Sequence, residues 1–284
     1  MMIKNIFNFL SVIVILALLL FPRRIIPRLN FKRARDLFGY SSLVFLVIIL
    51  QNLFSLGYAN GFKETPFNNK DLLRHIKILY SELGFSEEVL SFQAFQLSLT
   101  AYYITLGENL VKRPNLLTIV DYTKPCNKER FFTIDLRNKR IVLKELVSHG
   151  RKSGSRYARS FSNKPRSLKS SIGLYITLEA YWGKYGYSLR LRGLERGYND
   201  NAERRNIVIH EAGYVNKKMA SNSGCIDTSW GCLVVSLGSA KKVIDTIKNG
   251  SVLFIYYPLK GYLQKSEYTN SGKAATVFNQ FEFD

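Results

Sequence analysis

Two side chains in the carboxyl-terminal half of the chain could together perform nucleophilic chemistry: the imidazole of His210 and the thiol of Cys232. His210 ends the apolar run 207–209, and a strand that ends at a histidine delivers the ring into a cleft. Cys232 follows the tripeptide Ser-Trp-Gly at 229–231. An imidazole within reach of a thiol can take its proton, and the resulting cation lowers the thiol pKa. The pair therefore predicts a cysteine nucleophile and its histidine base.

The segment around Cys232 has the composition of a tight turn. Gly231 lets the backbone turn sharply, which leaves the N–H groups of Gly231 and Cys232 free to point at an oxyanion. The apolar residues 233–235 anchor the turn in the core. Each residue alone has a simpler explanation, since a Gly-Cys pair before aliphatic residues is most often a buried structural cysteine. Papain-like proteases also use Cys and His, so the pair is suggestive without being specific.

The chain has three cysteines, Cys126, Cys225 and Cys232. An odd count in an exported protein suggests one free thiol beside one disulfide. A Cys126–Cys225 disulfide would leave Cys232 free. Two alternatives are open, in which Cys225 is a bystander or a redox switch on Cys232. A zinc site could also be considered from His149, His210, Cys225 and Cys232. Their spacing matches no paired-ligand pattern, so no metal is predicted.

The charge of the chain is strongly basic, with 41 Lys and Arg against 21 Asp and Glu and a formal net charge of +20. No nucleic-acid motif accompanies it, whether a Cys/His finger, an aromatic RNP strand or a basic heptad helix, so no nucleic-acid partner is predicted. Anionic lipid and the acidic peptides and glycans of a cell wall are alternative counter-charges. A solvated basic surface is the simplest explanation.

Residues 1–59 predict an export or membrane-anchor segment with two apolar runs, 6–21 and 37–56. The stretch between them is rich in Arg and Lys, and the positive-inside rule places it in the cytoplasm. The second run then carries the remainder outward, so the protein is predicted to be exported and anchored in the inner membrane. Its catalytic domain would face the periplasm or cell wall.

An alternative for the same region is a cleaved signal peptide over residues 32–59, with a charged start, an apolar centre and small residues at 57–59. A buried helical hairpin in a cytosolic protein is a third interpretation. The first two interpretations both export the domain.

Residues 60–112 predict a polar linker and two amphipathic helices. Apolar residues recur at helical spacing in the first helix, which Gly84 ends, and Ser86 is expected to cap the second. The inward residues are Leu72, Leu73, Ile76, Leu79 and Tyr80 in the first helix and Phe92, Phe95, Leu99 and Tyr102 in the second.

From residue 113 to 284 the pattern predicts a mostly β catalytic domain, a β-sandwich or barrel with a few helices. Short β-rich runs replace the helical period, and one helix is expected over 239–249. The runs are 117–122, 130–136, 140–147, 171–182, 186–194, 206–210, 231–236 and 251–258.

The stretch from about residue 134 to 257 resembles the murein L,D-transpeptidase catalytic-domain family, the YkuD-like cysteine transpeptidases. The matching segments occur in order and are more specific together than either the His or the Cys alone. They are VSHG (147–150), SGSRYARSFSN (153–163), SLKSSIGLY (167–175), YGYSLRLRGLERGYNDNA (185–202), IVIHEAGYV (207–215) and SWGC (229–232).

The resemblance implies roles for the motif residues. Cys232 is the acyl-accepting nucleophile and His210 the base, with Ser229 and Gly231 completing the Ser-x-Gly-Cys motif. A backbone carbonyl commonly orients the imidazole in the family, and no cofactor or metal is implied. Three positions depart from the common pattern: Glu211 stands where glycine is common, Thr228 where arginine is frequent and Leu233 where proline is usual.

Five further residues are predicted to contact substrate: His149, Arg190, Asn199, Ser171 and Tyr214. Of these, Arg190 and Asn199 are candidates for binding substrate carboxylates. Peptidoglycan stem peptides and the membrane are the implied partners, and carbapenem-type β-lactams the implied inhibitors.

The resulting hypothesis is a peptidoglycan L,D-transpeptidase. Cys232 would attack the carbonyl of the third stem residue and release D-alanine, and an amine of another stem would resolve the thioester as a 3→3 cross-link. Water as the acceptor would make it an L,D-carboxypeptidase. A catalytically silent cell-wall-binding protein is the alternative of another class, and a papain-like protease has little support from the motif spacing.

Overall fold

The computed structural model describes residues 69–281. The predicted anchor segment 1–59 with its runs 6–21 and 37–56, the alternative signal peptide 32–59 and the linker 60–68 lie outside these residues. Within residues 69–281, none of the helices is both long and apolar enough to cross a membrane.

An eight-stranded sheet forms the centre of the fold. The strands are β1 (Leu116–Asp121), β2 (Phe131–Asp135), β3 (Arg140–Glu145), β4 (Gly173–Gly183), β5 (Gly186–Gly193), β6 (Val208–Glu211), β7 (Leu233–Val235) and β8 (Val252–Tyr256). Their order across the sheet is β3-β2-β1-β8-β4-β5-β6-β7. Only the β1–β8 and β6–β7 pairs are parallel among these neighbours, and the others are antiparallel. The predicted mostly β domain is confirmed in this coarse form, as one barrel-like sheet.

The helices are α1 (Asn69–Glu82), α2 (Phe92–Gly107), α3 (Lys217–Asn222), α4 (Ala240–Ile247), α5 (Lys260–Leu263) and α6 (Ser271–Phe281). The sequence predicted α1, α2 and α4 but not α3, α5 or α6. Helix α6 packs against α1 and α2 through the ring of Phe278, whose centroid lies 4.9 Å from that of His75 and 5.2 Å from that of Tyr103. The three helices therefore form one layer beside the sheet.

The start of α2 differs from the expected cap at Ser86. The N-cap is Ser91, whose Oγ accepts a hydrogen bond from the N–H of Ala94. Ser86 instead begins a turn in which its carbonyl accepts from the N–H groups of residues 89 and 90. The turn drives Leu90 into the core with no exposed surface, and the N–H of Ser91 then bonds to Asp121 of β1 at 2.9 Å. Tertiary anchoring thus moved the helix start by one turn.

Strands β6 and β7 separate two apolar clusters. Ile209, Leu233 and Val235 point into the main core, which the helices α2 and α4 also line. Because side chains alternate along a strand, Val234 points to the opposite face. There it packs in a smaller cluster whose buried members are Cys126, Leu146, Val215, Ala220, Ile226 and Val234. Cys232 is partly buried against this second cluster.

A disulfide joins Cys126 to Cys225 across 99 residues of sequence, which confirms one of the open pairings and leaves Cys232 as a free thiol. It connects the segment before β2 to the segment that leads into Ser229–Cys232. Closing a loop of this length stabilises the fold by about 4 to 5 kcal/mol in the chain-entropy model.

Candidate active site

The turn that carries the free thiol is held by the side chain of Ser229. We call residues 229–232 the cysteine turn. The Ser229 hydroxyl donates to the carbonyl of Cys232 at 2.7 Å and accepts from the N–H of Gly231 at 3.0 Å. The backbone N–H of Ser229 donates to the carbonyl of His149 at 2.8 Å. The buried hydroxyl therefore closes the turn on itself, and the backbone N–H of Ser229 attaches the turn to the segment that contains His149.

Gly231 occupies a position that only glycine fits. Its φ of +123° lies in the region that L side chains rarely adopt, and an added Cβ would lie 2.8 Å from the carbonyl oxygen of Lys169. Its N–H, which the sequence predicted to be free for an oxyanion, donates to Ser229 instead. The glycine thus serves close packing of the turn as well as its shape.

The strand register brings Cys232 and His210 to the same face of neighbouring parallel strands. His210 pairs with Val234 and Ile209 with Leu233, so Cys232 is two positions before the partner of His210. If ideal strand geometry, with a rise of about 3.3 Å per residue and about 4.8 Å between strands, continued to Cys232, the two Cα atoms would be roughly 8 Å apart. Side chains of this length can meet across such a gap.

The Cys232 thiol is half-buried and donates to the carbonyl of Asn206 at 3.5 Å. Burial raises the pKa of this thiol above its usual value, while the N–H of Val208 and the guanidinium of Arg205 partly offset the rise. The sulfur is therefore protonated at rest near neutral pH, and attack requires a base.

His210 is buried, and its Nδ1 donates to the carbonyl of Glu211 at 2.9 Å. Because a carbonyl only accepts, this bond fixes the tautomer that leaves Nε2 with a lone pair. Burial lowers the pKa of His210, and the Glu211 carbonyl opposes that change. The ring is thus neutral at pH 7 and able to accept a proton. The Glu211 backbone provides the orienting carbonyl that the resemblance implied.

The phenol ring of Tyr185 covers the imidazole. The two rings stack with centroids 4.8 Å apart and an interplanar angle of 22°. Tyr185 lies at the turn between β4 and β5 and is 50% exposed, so it separates His210 from solvent. From the sequence, Tyr185 could stack on a sugar ring, but an aromatic at strand spacing is more often a core or cross-strand packing partner.

Arg205 is a second residue that sequence reasoning missed. Its guanidinium donates to the carbonyls of Ser162 at 2.7 Å and Lys169 at 2.6 Å, and to the hydroxyl of Ser171 at 2.5 Å. It lies close enough to Cys232 to lower the pKa of the thiol. Its partners are 34 or more positions away in sequence, so only the local Glu-Arg-Arg-Asn run before β6 could have marked it.

His149 is enclosed in a hydrogen-bonded network. Its ring is 1% exposed, with Nδ1 2.8 Å from Arg130 Nη2 and Nε2 3.0 Å from the carbonyl of Gly154. Burial and the neighbouring Arg130 charge lower the pKa of His149 to about 4. The arrangement positions the backbone that supports Ser229, and neither nitrogen is directed at a substrate.

Ser171 and Asn199 are also occupied within the fold. The Ser171 hydroxyl donates to the carbonyl of Ser162 at 3.2 Å. The side-chain amide of Asn199 has no exposed surface and donates to the carbonyls of Ile172 and Leu174, while its oxygen accepts from the N–H of Glu195. These bonds use every polar atom of Asn199, which supports the wall of the site.

Arg190 and Tyr214 remain accessible to a ligand. Arg190 pairs with Val208 on the β5–β6 ladder, is exposed and lies 3.0 Å from Glu179. Tyr214 is half-buried, and burial raises its pKa to about 12, with Asp227 and Cys232 adding to the rise. Tyr214 and Cys232 both pack against the smaller apolar cluster.

The described residues thus include a protonated thiol in the cysteine turn with the Arg205 cation nearby, and a neutral imidazole on the strand β6 that pairs with β7. The zinc site considered from sequence is not formed, because Cys225 is in the disulfide and both nitrogens of His149 are bonded. A neutral thiol–imidazole pair can form a thiolate when an electrophilic carbonyl approaches, which is the requirement of acyl transfer.

Residues 86–256 match the family model described as the L,D-transpeptidase catalytic domain. No curated protein matches the chain. Among solved structures, an L,D-transpeptidase from Mycobacterium smegmatis is 13% identical with a TM-score of 0.32, over 50% of this chain and 59% of that chain.

Two other solved structures are similar at the same low level. An L,D-transpeptidase in complex with imipenem is 14% identical with a TM-score of 0.31, over 50% of this chain and 59% of that chain. The helical cell shape determining protein from Campylobacter jejuni is 10% identical with a TM-score of 0.37, over 65% and 63% respectively. The chain thus spans 59% of the length of both transpeptidases. Similarity at this level carries no functional argument.

Proposed function

The chain belongs to the L,D-transpeptidase catalytic domain family, and from this premise we propose that it is a peptidoglycan L,D-transpeptidase with Cys232 as nucleophile. The observation that carries the proposal is the free Cys232 thiol directly before β7, two positions ahead of Val234, the residue that pairs with His210 of β6. The other two cysteines are bonded to each other, so Cys232 is the only thiol the chain has for this chemistry.

In the first half-reaction, Nε2 of His210 takes the thiol proton as sulfur attacks the carbonyl carbon of the third stem residue, a diamino acid. The carbonyl becomes a tetrahedral oxyanion. When it collapses, the C–N bond to the terminal D-alanine breaks and His210 returns the proton to the leaving amine. The product is a thioester on Cys232 and free D-alanine.

In the second half-reaction, an amine from another stem attacks the thioester carbonyl. Its proton passes to His210 and then to the departing Cys232 sulfur, which restores the resting thiol. The new amide is a 3→3 cross-link. Water in place of the amine would yield a tripeptide and make the enzyme an L,D-carboxypeptidase.

The N–H of Cys232 is the proposed oxyanion donor. The neighbouring Gly231 N–H already donates to the Ser229 hydroxyl at 3.0 Å, so its contribution requires that bond to open. One such donor contributes about 3 kcal/mol to transition-state stabilisation in comparable sites.

Arg190 and Tyr214 are the proposed substrate contacts, the first for a stem carboxylate and the second for the peptide beside the thioester. We assign Ser171, Asn199 and His149 to support of the site, because their polar atoms bond within the protein. Carbapenem-type β-lactams would acylate Cys232 as substrate analogues.

We propose that the domain acts outside the cytoplasm, at the periplasm or cell wall. The disulfide supports this location, since such bonds persist in oxidising compartments. Anchoring through residues 1–59, and the division of the chain at 59 and 112, remain predictions.

The test uses the full-length protein with tetrapeptide-bearing muropeptides. The wild type is expected to release D-alanine and form 3→3 dimers detected by mass spectrometry, whereas Cys232→Ala releases none. Thr228→Ala, a change in the same segment outside the hydrogen bonds of the turn, is the matched control and retains activity. Release of D-alanine by Cys232→Ala would overturn the mechanism. A tripeptide product without dimers would assign water as the acceptor.

A further inference from the structure

The loop that precedes β4 is a concentrated patch of positive charge. No acidic residue occurs between Glu145 and Glu179. We call residues 151–169 the basic loop, and its seven Lys and Arg residues are Arg151, Lys152, Arg156, Arg159, Lys164, Arg166 and Lys169. All except the last are exposed. Among residues 69–281, none of the seven forms an ion pair with a carboxylate.

Both ends of the basic loop contact the cysteine turn. At one end, the N–H of Arg151 donates to the carbonyl of Ser229 at 2.7 Å, and its guanidinium lies 5.8 Å from the ring centre of Trp230. At the other end, the carbonyl of Lys169 packs against Gly231 and accepts from Arg205. The positive charge therefore borders the nucleophile, and the Trp230 ring, 67% exposed, lies on this border.

The basic loop is held in shape although it lacks regular secondary structure. The N–H of Lys152 donates to the carbonyl of Leu168, and the N–H of Ser162 donates to that of Ser170. Near its middle, the carbonyl of Arg156 accepts from the N–H of Cys126, next to the disulfide. A ligand would meet a loop whose backbone is already ordered, which lowers the entropic cost of binding.

Seven like charges within nineteen positions repel one another, and a polyanion relieves that repulsion. Four of the seven are arginines, whose guanidinium forks match carboxylates in bidentate geometry. We propose that the basic loop binds the carboxylates of neighbouring stem peptides in polymeric peptidoglycan while one stem occupies Cys232. The identity of this partner rests on the proposed function, and the inference adds a polymer-binding subsite to it.

Binding is measured with full-length protein carrying Cys232→Ala, so that no covalent chemistry contributes. The test variant adds Arg156→Gln, Arg159→Gln and Lys164→Gln, which do not touch the cysteine turn. Its affinity for insoluble peptidoglycan sacculi in a pelleting assay is expected to fall about tenfold, with a weaker salt dependence, since each exposed pair contributes modestly.

The matched control adds Arg74→Gln, Lys77→Gln and Arg137→Gln in the same background. These three exposed cations lie on α1 and the β2–β3 turn, outside the basic loop and the cysteine turn, and removing them changes net charge equally. We expect less than a twofold loss. An equal loss in both triple variants would overturn the proposal, because net charge alone would then explain binding.

Two further arms identify the anion. Sacculi whose stem carboxylates have been converted to amides should bind the Cys232→Ala protein about tenfold more weakly, and unchanged binding would refute carboxylate recognition. Preferential binding to vesicles of phosphatidylglycerol and phosphatidylcholine, lost in the test variant, would also refute it in favour of a lipid surface. Failure of the proposed function is distinguishable, since it appears as absent D-alanine release by the wild type.

Discussion

Replacing Gly231 by alanine is expected to destabilise the protein and to displace Cys232, the proposed nucleophile. A non-glycine residue in a sparsely populated φ region costs about 1 to 3 kcal/mol. The new Cβ would lie 2.8 Å from the Lys169 carbonyl, which must move away from its hydrogen bond with Arg205. Weakening that bond adds about 1 kcal/mol. The expected loss in free energy of unfolding is therefore about 2 to 4 kcal/mol.

The neighbouring Gly224 provides the matched control for this change. Its φ is also positive, +67°, but an added Cβ would meet nothing within 4 Å. Gly224→Ala therefore keeps the backbone cost of about 1 kcal/mol without the contact. Both glycines lie in the segment between α3 and β7, so the comparison separates the contact with Lys169 and the rarer φ of Gly231 from the ordinary cost of a left-handed residue.

Urea unfolding and D-alanine release would be measured on both variants. A shift of the nucleophile by about 1 Å lowers the rate about a hundredfold. We expect this loss in Gly231→Ala at temperatures where it is fully folded, and a change of less than threefold in Gly224→Ala. If the two variants match in unfolding midpoint and in rate, the packing of Gly231 against Lys169 does not position Cys232.

Three further outcomes are expected. Tyr185→Ala exposes His210 to water, so the acid limb of the pH–rate profile moves up toward the ordinary histidine pKa of about 6.5. Tyr185→Phe keeps the ring and should leave the limb in place. An unmoved limb in Tyr185→Ala would contradict the shielding of His210 by Tyr185. Because the folded pKa of His149 is lowered to about 4, the unfolded chain binds its proton first as pH falls, so the free energy of unfolding decreases by about 3 kcal/mol between pH 7 and pH 4. The free energy of unfolding, measured by urea titration, should fall more steeply with decreasing pH in the wild type than in His149→Gln. Equal pH dependence in the two proteins would refute the lowered pKa of His149. Reduction of the Cys126–Cys225 disulfide should lower the melting temperature by about 10 °C. An unchanged melting temperature would show that the cross-link does not constrain the unfolded chain.

The sequence predicts the strands well because their information is local. The runs that became β1, β2 and β8 are buried along their whole length and are bounded by turn residues, so composition alone identifies them. The disulfide could be named as an alternative because three cysteines allow few pairings. Helix α6 escaped prediction because its apolar residues are sparse, and its contacts with α1 and α2 lie far away in sequence.

The sequence marks the two proposed reacting groups but not the residues that surround them. His210 and Cys232 are marked by the ends of apolar runs, but a polar residue such as Asn199 carries no sequence mark that tells a buried hydrogen bond from a substrate contact. The same is true of Arg205, whose acceptors are backbone carbonyls of a distant loop. Assignments of this kind depend on which carbonyls the fold brings near, and local patterns do not contain that information.

The packing of α6 has a consequence for how this protein can be divided or transferred. The family match ends at residue 256, whereas Phe278 lies against Tyr103, and Val277 lies so near Gly107 that an added Cβ would be 2.5 Å from it. A fragment cut at 256 would uncover the apolar faces of α1 and α2 and invite self-association. The segment that matches the family model is therefore shorter than the segment that must be kept together when the domain is expressed alone or moved into another protein.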